Sequence, residues 1–232
     1  MFNRIGVIGA GAMGRGIAQL FASSGQQVLI YDTRTEAIDD AISFNRNLLQ
    51  RAVAKGKLSE ADFDATMTRM QAAAELEALK DCDLVIEAIV ELLEVKQKLF
   101  DQLEAIVRDD CVLATNTSSL SVTRIASTCK RPERVAGFHF FNPVPLMKIV
   151  EVVRGERTDE RYVQGLVALA ETAGHFPAIT PDTPGFLVNH AGRAFGTEAL
   201  RILSEGVATP QQIDRILRDG PGFRMGPLEL FD

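Results

Sequence analysis

The amino-terminal segment links a short apolar run to an amphipathic stretch through closely spaced glycines, and this order strongly limits the fold. Residues 5–8 are Ile-Gly-Val-Ile, which is typical of a strand buried on both faces. Apolar residues then recur at helical spacing across residues 13–23, and Gly25 can end that helix. The G-x-G-x-x-G motif between them consists of Gly9, Ala10, Gly11, Ala12, Met13 and Gly14. This context predicts the first strand–turn–helix unit of a dinucleotide-binding sheet.

Each glycine of this motif has a physical role in holding a pyrophosphate. Gly9 permits the tight turn, Gly11 lets the backbone approach the phosphates, and Gly14 lets the helix pack closely on the strand. Asp32 ends the next strand, where a carboxylate binds ribose hydroxyls and repels a 2′-phosphate. The sequence therefore predicts NAD as cofactor, although Arg34 could tolerate the phosphate of NADP. The alternative, a glycine-rich turn with an unrelated surface aspartate, leaves the order of these elements unexplained.

Apolar runs alternate with helical stretches over the first part of the chain. The predicted strands lie at residues 5–8, 28–31, 84–86 and 112–114, with helices at 13–23, 35–55, from 59 onward and at 95–107. Alternation of this kind predicts a parallel sheet with helices on both faces. Apolar runs at 135–140 and 148–153 flank a proline-containing turn, which predicts an antiparallel hairpin. We therefore predict an α/β fold, a Rossmann-type and mostly parallel sheet with an added antiparallel hairpin.

The second half of the chain changes character at a cluster of helix breakers, Pro-Asp-Thr-Pro-Gly at residues 181–185. Before it we predict a helix at 159–173 and a strand at 176–180. After it only helices are predicted, at 186–205 and 210–219, the second capped by Thr209 with Pro210 at its first position. The expected domains are a dinucleotide-binding domain, residues 1–182, and the start of an incomplete helical domain, residues 183–232.

Composition and charge exclude several classes of protein. Hydrophobic residues make up 46% of the 232 positions, too many for a disordered chain. The net charge of −6 argues against a general nucleic-acid binder, which needs a basic surface. The cysteines, Cys82, Cys111 and Cys129, form no C-x-x-C pair, so we expect neither a disulfide scaffold nor a four-cysteine metal site. No run approaches the ~20 apolar residues of a membrane span and no signal-peptide pattern is present, which predicts a cytoplasmic protein without a membrane partner.

A polar cluster, Asn116-Thr117-Ser118-Ser119, follows the predicted strand at 112–114. Ligands of open α/β sheets bind beyond the carboxyl ends of the strands, so these side chains are expected to meet a nicotinamide or a substrate oxygen. The alternative is a helix cap, with Ser121 or a neighbour opening a helix at 122–127.

His139 lies in an aromatic strand-like run, and Glu151 lies in the next one. If the hairpin is centred near Pro145, these two residues are cross-strand partners with Cβ atoms ~5 Å apart. A carboxylate that orients an imidazole makes a general acid/base that works near neutral pH. The alternative is a buried histidine that serves only the core.

Asn189 lies near the start of the predicted helix that follows the breaker cluster. The junction between two domains is a usual place for a cleft, where an amide can donate to a substrate oxygen. The alternative is an ordinary linker and helix start.

Together these segments resemble the L-3-hydroxyacyl-CoA dehydrogenases, including the bacterial 3-hydroxybutyryl-CoA dehydrogenases and the enzymes of phenylacetate degradation. The matching segments are residues 9–14, Asp32, Val-Ile-Glu-Ala at 85–88, Asn-Thr-Ser-Ser at 116–119, His-Phe-Phe-Asn-Pro at 139–143, Asp-Thr-Pro-Gly-Phe-Leu-Val-Asn at 182–189 and Met-Gly-Pro at 225–227. The His-Phe-Phe-Asn-Pro and Asp-Thr-Pro-Gly-Phe strings are far more specific than the glycine motif, and the segments run in order along the whole chain.

The resemblance implies a role for each matching residue. His139 corresponds to the catalytic base and Glu151 to the carboxylate that orients it. Ser118 and Asn189 resemble the groups that hydrogen-bond the substrate oxygen. Asn142 resembles a contact of cofactor and active site.

The same resemblance extends to both ligands. The expected cofactor contacts are residues 9–14, Asp32, Glu91, Lys96, Asn116, Ser118 and Asn142, with Glu91 and Lys96 at the nicotinamide half. Lys55 falls in the region that meets the CoA phosphate, where a cation suits a phosphate, although a solvated lysine explains it equally well.

The resemblance predicts an NAD-dependent oxidation of L-3-hydroxyacyl-CoA in fatty-acid or aromatic-acid β-oxidation. Family members continue beyond Met-Gly-Pro through helices that form a homodimer interface, and these are missing from the 232 residues. The alternatives are a dehydrogenase of a hydroxyacid or sugar acid that carries no CoA, and an NAD-binding protein without catalysis.

Overall fold

The computed structural model describes residues 2–231, which divide into two compact units on either side of the Pro184–Gly185 bond. In the described chain the strands are β1 Arg4–Ile8, β2 Gln27–Tyr31, β3 Met70–Ala72, β4 Leu84–Glu87, β5 Val112–Thr115, β6 Val135–Phe140, β7 Ile149–Arg154 and β8 Phe176–Pro181. The α-helices are α1 Ala12–Ser23, α2 Thr35–Ala54, α3 Glu60–Arg69, α4 Leu93–Ile106, α5 Val122–Ala126, α6 Glu160–Thr172, α7 Val188–Ser204 and α8 Pro210–Asp219. The break between the units lies two residues beyond the boundary expected from the sequence.

The strands of the first unit form a single sheet in the order β3-β2-β1-β4-β5-β6-β7-β8. Every neighbouring pair is parallel except β6 and β7, which are antiparallel. The mostly parallel sheet with an antiparallel hairpin is therefore confirmed. The hairpin register pairs His139 with Glu151, as the sequence predicted.

One edge strand was not predicted. β3 pairs with β2 in parallel and follows directly on helix α3. Its sequence, Met-Gln-Ala, contains no β-branched or aromatic residue, so neither composition nor alternation distinguishes it from the end of a helix. Pairing with a neighbouring strand, a tertiary effect, decides its structure.

Aromatic packing fixes the strand that carries His139. Phe21 of α1 packs against Phe138 and Phe140, with ring centroids 6.2 and 5.9 Å away. Because successive strand residues point to opposite faces, these two phenylalanines direct the imidazole of His139 to the other face of the sheet. Burial of aromatic rings on one face thereby orients the histidine on the other.

The second unit contains α7 and α8. The side chain of Thr209 accepts from the backbone N–H of Gln212, and the side chain of Gln212 accepts from the backbone N–H of Thr209, which forms a full capping box at α8. Asp214 accepts from the backbone N–H of Leu228 at 2.8 Å, which ties the last residues to α8. Across residues 2–231, no helix combines the length and apolar character needed to cross a membrane.

Candidate active site

The glycine motif forms the tight turn between β1 and α1. Gly9 has φ +96°, and a Cβ there would lie 2.5 Å from the Ala88 carbonyl oxygen. A Cβ on Gly14 would lie 1.7 Å from the carbonyl oxygen of Gly9, so this position excludes any side chain. A Cβ on Gly11 would meet no atom within 4 Å, although Gly11 is the N-cap of α1. Gly11 therefore leaves open, at a helix N-terminus, the space that a pyrophosphate would fill.

Asp32 sits at the end of β2, beside this turn. Its Oδ2 accepts from the backbone N–H of Ala10 at 2.8 Å and its Oδ1 from the N–H of Arg34 at 3.0 Å. A cavity of about 210 Å³ lies beside it, lined by Tyr31 and by apolar side chains that include Ile89 and Val95. A carboxylate next to an apolar cleft suits the ribose and the flat base of a nucleoside.

The imidazole of His139 lies between a carboxylate and a hydroxyl. Its Nδ1 is 2.7 Å from Glu151 Oε2 and its Nε2 is 3.1 Å from Ser118 Oγ. His139 and Glu151 are both buried. An ionised carboxylate only accepts, so in a neutral imidazole this arrangement puts the hydrogen on Nδ1 and leaves Nε2 as the acceptor toward Ser118. This is the geometry that a general base requires, and the catalytic role of His139 stays a prediction.

Strand lengths explain why a residue after β5 reaches His139. Thr115, the last residue of β5, pairs with Gly137, so His139 extends past the end of β5. The turn that contains Ser118 passes over the end of β5, beside His139. Asn116 holds this arrangement, because its side-chain oxygen accepts from the backbone N–H of Phe140 at 2.9 Å. The structure therefore gives Asn116 a structural bond, and its predicted cofactor contact stays a prediction.

Glu91 anchors the turn that carries Ser118. Its Oε1 accepts from the Thr117 hydroxyl at 2.5 Å, the Ser118 N–H at 2.9 Å, and the Ser119 N–H and hydroxyl at 3.2 and 3.3 Å. Burial raises the pKa of this carboxyl, but the Thr117 hydroxyl, Lys96 and the Ser118 N–H outweigh it and hold the pKa below its usual range. Glu91 therefore stays ionised at neutral pH and binds the turn as an anion.

Lys96 is buried rather than open to a ligand. Its Nζ lies 2.5 Å from Glu87 Oε1 and 3.2 Å from Glu91 Oε2, with the Lys96 side chain 1% exposed and that of Glu87 0%. Its two partners are carboxylates of the chain itself. A contact of Lys96 or Glu91 with the nicotinamide half of the cofactor remains a prediction.

The remaining expected site residues lie on three other parts of the chain. Asn142 is exposed in the turn between β6 and β7, and the peptide bond that follows it is cis. Lys55 is the exposed C-cap of α2. Asn189 lies in the first turn of α7, in the second unit. Their roles toward cofactor and substrate stay predictions.

Asp182, which follows β8, is a tether that binds the start of α5, and the sequence did not indicate this contact. Its Oδ2 accepts from the Ser121 hydroxyl at 2.7 Å and the Thr123 N–H at 2.8 Å, and its Oδ1 accepts from the Val122 N–H at 3.0 Å. Ser121 itself caps α5, which is the helix-cap alternative weighed for this segment. Burial opposes ionisation of Asp182, but the Thr123 bonds and those of Ser121 and Val122 outweigh it and lower its pKa.

This tether predicts a pH-dependent contribution to stability. A carboxyl with a lowered folded-state pKa stabilises the fold above its unfolded pKa, and that stability is lost as pH falls through the lower folded value. Asp182→Asn should therefore lower the free energy of unfolding by about 1–2 kcal/mol near pH 7, because charge-assisted bonds become neutral ones. The deficit should shrink below about pH 4. Thermal denaturation across pH measures it, with the exposed Asp39→Asn as control; a deficit that stays constant with pH would contradict the assignment.

The described residues show no group of three His, Cys, Asp or Glu side chains that could hold a metal ion. The three cysteines are free and buried. Burial raises the pKa of the thiols, to about 11 for Cys82 and about 12 for Cys111 and Cys129. These thiols stay protonated at neutral pH and are poor nucleophiles.

Two family profiles match consecutive parts of this chain, and two curated relatives match nearly all of it. A family profile described as "3-hydroxyacyl-CoA dehydrogenase, NAD binding domain" matches residues 4–183, and one described as "3-hydroxyacyl-CoA dehydrogenase, C-terminal domain" matches residues 185–232. The 3-hydroxyadipyl-CoA dehydrogenase of Escherichia coli strain K12 is 49% identical over 228 residues, 98% of this chain. The 3-hydroxybutyryl-CoA dehydrogenase of Clostridioides difficile is 40% identical over 229 residues, 99% of this chain.

The chain spans 48% of the length of the Escherichia coli relative and 82% of that from Clostridioides difficile. A crystal structure of 3-hydroxybutyryl-CoA dehydrogenase from Escherichia coli K12 superposes with a TM-score of 0.97 at 48% identity. The superposition covers 99% of this chain and 49% of that one.

Proposed function

The chain belongs to the 3-hydroxyacyl-CoA dehydrogenase family, and from this premise we propose that it interconverts a 3-hydroxyacyl-CoA and the 3-oxoacyl-CoA with NAD as cofactor. The observation that carries the proposal is the line from Glu151 through His139 to Ser118, with distances of 2.7 and 3.1 Å. Acid/base chemistry of this kind suits the removal of a hydroxyl proton while hydride leaves the same carbon. NAD, when bound, supplies the hydride acceptor for that oxidation.

Two side chains of the sheet and one of the turn after β5 carry the acid/base chemistry in this proposal. His139 Nε2 takes the proton of the substrate 3-hydroxyl, and in the reverse direction returns it. Glu151 accepts from Nδ1, fixes the tautomer and stabilises the imidazolium that forms. Ser118 Oγ, beside Nε2, hydrogen-bonds the same substrate oxygen and holds it against the base. We assign Asn189 a second bond to that oxygen on the strength of the family resemblance.

The geometry of the glycine loop supports the cofactor assignment. The open space at Gly11 and the N–H groups at the α1 N-terminus fit a pyrophosphate. Asp32 is placed to accept from the hydroxyls of the adenosine ribose. The 3-hydroxyacyl ester of CoA, in fatty-acid or aromatic-acid β-oxidation, is the substrate class we propose, with Lys55 available to a CoA phosphate. A homodimer of the whole protein and a cytoplasmic location complete the proposal.

The test is oxidation of NADH by acetoacetyl-CoA, followed by loss of NADH absorbance. Free acetoacetate in a parallel cuvette separates a CoA-dependent enzyme from a dehydrogenase of free acids. The chain contains no tryptophan, so the fluorescence of NADH reports its binding without interference from indole. Turnover of the CoA ester alone supports the proposal. Binding of NADH with turnover of neither substrate would contradict it and favour the non-catalytic alternative.

Asp32 gives a separate prediction about cofactor choice. Asp32→Asn keeps an acceptor for the Ala10 N–H but removes the charge that repels a 2′-phosphate. The preference for NADH over NADPH, measured as the ratio of kcat/KM values, should fall about 10-fold, since one charged contact is worth about 1.5 kcal/mol. Arg34→Gln is the matched variant, and it should leave that preference equal or higher. An unchanged ratio in Asp32→Asn would remove Asp32 from the ribose site.

A further inference from the structure

The ion pair between Glu87 and Lys96 lies in the interior, where such pairs contribute little to stability. The desolvation of two charges offsets most of their attraction, and apolar replacements of similar size are often neutral. Yet this pair connects to other polar groups at each end. The groups that the pair binds, rather than its own stability, therefore indicate its role.

On one side, the pair holds Glu91. The Lys96 ammonium binds Oε2 of Glu91 at 3.2 Å, while Oε1 of Glu91 accepts four donors from residues 117–119. One oxygen of the carboxylate thus faces the lysine and the other faces the turn. The lysine fixes the position from which Glu91 binds Ser118.

On the other side, the pair holds the end of β5. Glu87 Oε2 accepts from the Thr115 hydroxyl at 2.8 Å, and the N–H of Thr117 donates to that hydroxyl oxygen at 3.2 Å. The turn is therefore bound to the pair twice, through Glu91 and through Thr115. Ser118 lies within this turn, with its Oγ 3.1 Å from His139 Nε2.

We propose that Glu87 and Lys96 are positioning residues: through Glu91 and Thr115 they hold the hydroxyl of Ser118 against His139. The inference rests on the proposed function for its kinetic consequence, but its structural part concerns residues of this chain alone. A catalytic group displaced by about 1 Å loses up to about 100-fold in rate. Loss of the pair should therefore lower kcat while the part of the cofactor site built by β1, α1 and β2, which would hold the adenosine and the pyrophosphate, is unchanged.

The variant that tests this removes both charges together. Glu87→Gln with Lys96→Met keeps the volumes similar and removes both fully buried charges, while Glu91, with its side chain 38% exposed, keeps its donors from the turn, so we expect the fold to be retained. We expect kcat for acetoacetyl-CoA reduction to fall about 10- to 100-fold, with the Kd for ADP, which probes only the adenosine and pyrophosphate part of the site, within about 3-fold of wild type. Glu94→Gln, at an exposed position of the same helix, is the matched control and should leave both constants unchanged. An unchanged kcat in the double variant overturns the proposal.

A second background distinguishes positioning from general loosening of the structure. In a chain that already carries Ser118→Ala, removal of the pair should cost less than about 3-fold, because the hydroxyl it positions is gone. If the full 10- to 100-fold loss persists in that background, the pair does not act through Ser118 and the proposal is wrong.

A spectroscopic readout keeps the test independent of turnover. In wild type and in the double variant, ¹H–¹⁵N spectra report the backbone amides of Ser118 and Ser119, and ring spectra report the imidazole of His139. We expect all three to move in the double variant and to stay in place in Glu94→Gln. Amides that do not move overturn the positioning role even if the chain turns over no substrate, whereas moved amides in a chain without turnover count against the proposed function alone.

Discussion

Replacement of His139 by glutamine is expected to lower kcat by about 10²- to 10⁴-fold, the usual contribution of a positioned general base. Glutamine is similar in size and can still hydrogen-bond, so the fold and the cofactor site should survive. What it cannot do is take a proton at the place of Nε2. The measurement is NADH oxidation with acetoacetyl-CoA, with NADH fluorescence to show that binding is retained.

The substitution His139→Gln should slow proton transfer without weakening the binding of NADH. NADH should bind His139→Gln within about 3-fold of wild type, because the loss of a base changes transition-state and not ground-state binding. Ser118→Ala is the graded comparison, and it should lose less because the base remains. A His139→Gln chain with turnover equal to wild type would show that another group carries the proton.

Alanine substitutions of Gly14 and Gly11, two glycines of the same loop, are expected to differ in their effect on the stability of the fold. Gly14→Ala places a Cβ 1.7 Å from the carbonyl oxygen of Gly9, which is backbone and cannot move away cheaply, so β1 and α1 must separate. We expect a loss of at least about 2 kcal/mol of folding free energy, as for severe overpacking, together with loss of NADH binding. Thermal denaturation and NADH fluorescence measure the two effects.

Gly11→Ala is the matched control for that variant, because its Cβ meets no atom within 4 Å. The melting temperature should stay within about 1 °C of wild type, as for a surface change of small cost. NADH should nevertheless bind about 10- to 100-fold more weakly, since the methyl group occupies the space of the phosphates and blocks a charged hydrogen bond. If Gly11→Ala binds NADH normally, the phosphates do not lie at this turn.

Much of the fold could be predicted because local pattern and global topology agree. The strand, glycine turn and helix at the amino terminus are local signals, and so is the prolyl turn that sets the hairpin register of His139 and Glu151. β3 could not be predicted, since its three residues become a strand only by pairing with β2. A short edge strand carries too little pattern of its own.

The candidate site likewise contains features that local sequence patterns predict and features that depend on tertiary structure. A polar cluster after β5 and a histidine in β6 were predictable as types, and their register with Glu151 followed from the turn. The contact of Ser118 with His139 was not, because it depends on β5 ending two residues short of the histidine. Asp182 lay in the breaker cluster predicted at the end of the first domain, and no local pattern indicated its bond to Ser121, which is 61 positions away. Lys96 lay on a helical pattern with no sign of its burial.

Transfer of deuterium is the most direct test of the proposed reaction. Wild-type chain would be mixed with acetoacetyl-CoA and NADH that carries two deuterium atoms at C4 of the nicotinamide, and the product mass determined. We expect 3-hydroxybutyryl-CoA with one deuterium at C3, formed by wild type and strongly reduced in His139→Gln. A product without deuterium, or no product from a chain that binds NADH, would contradict direct hydride transfer between NAD and a 3-oxoacyl-CoA at this site.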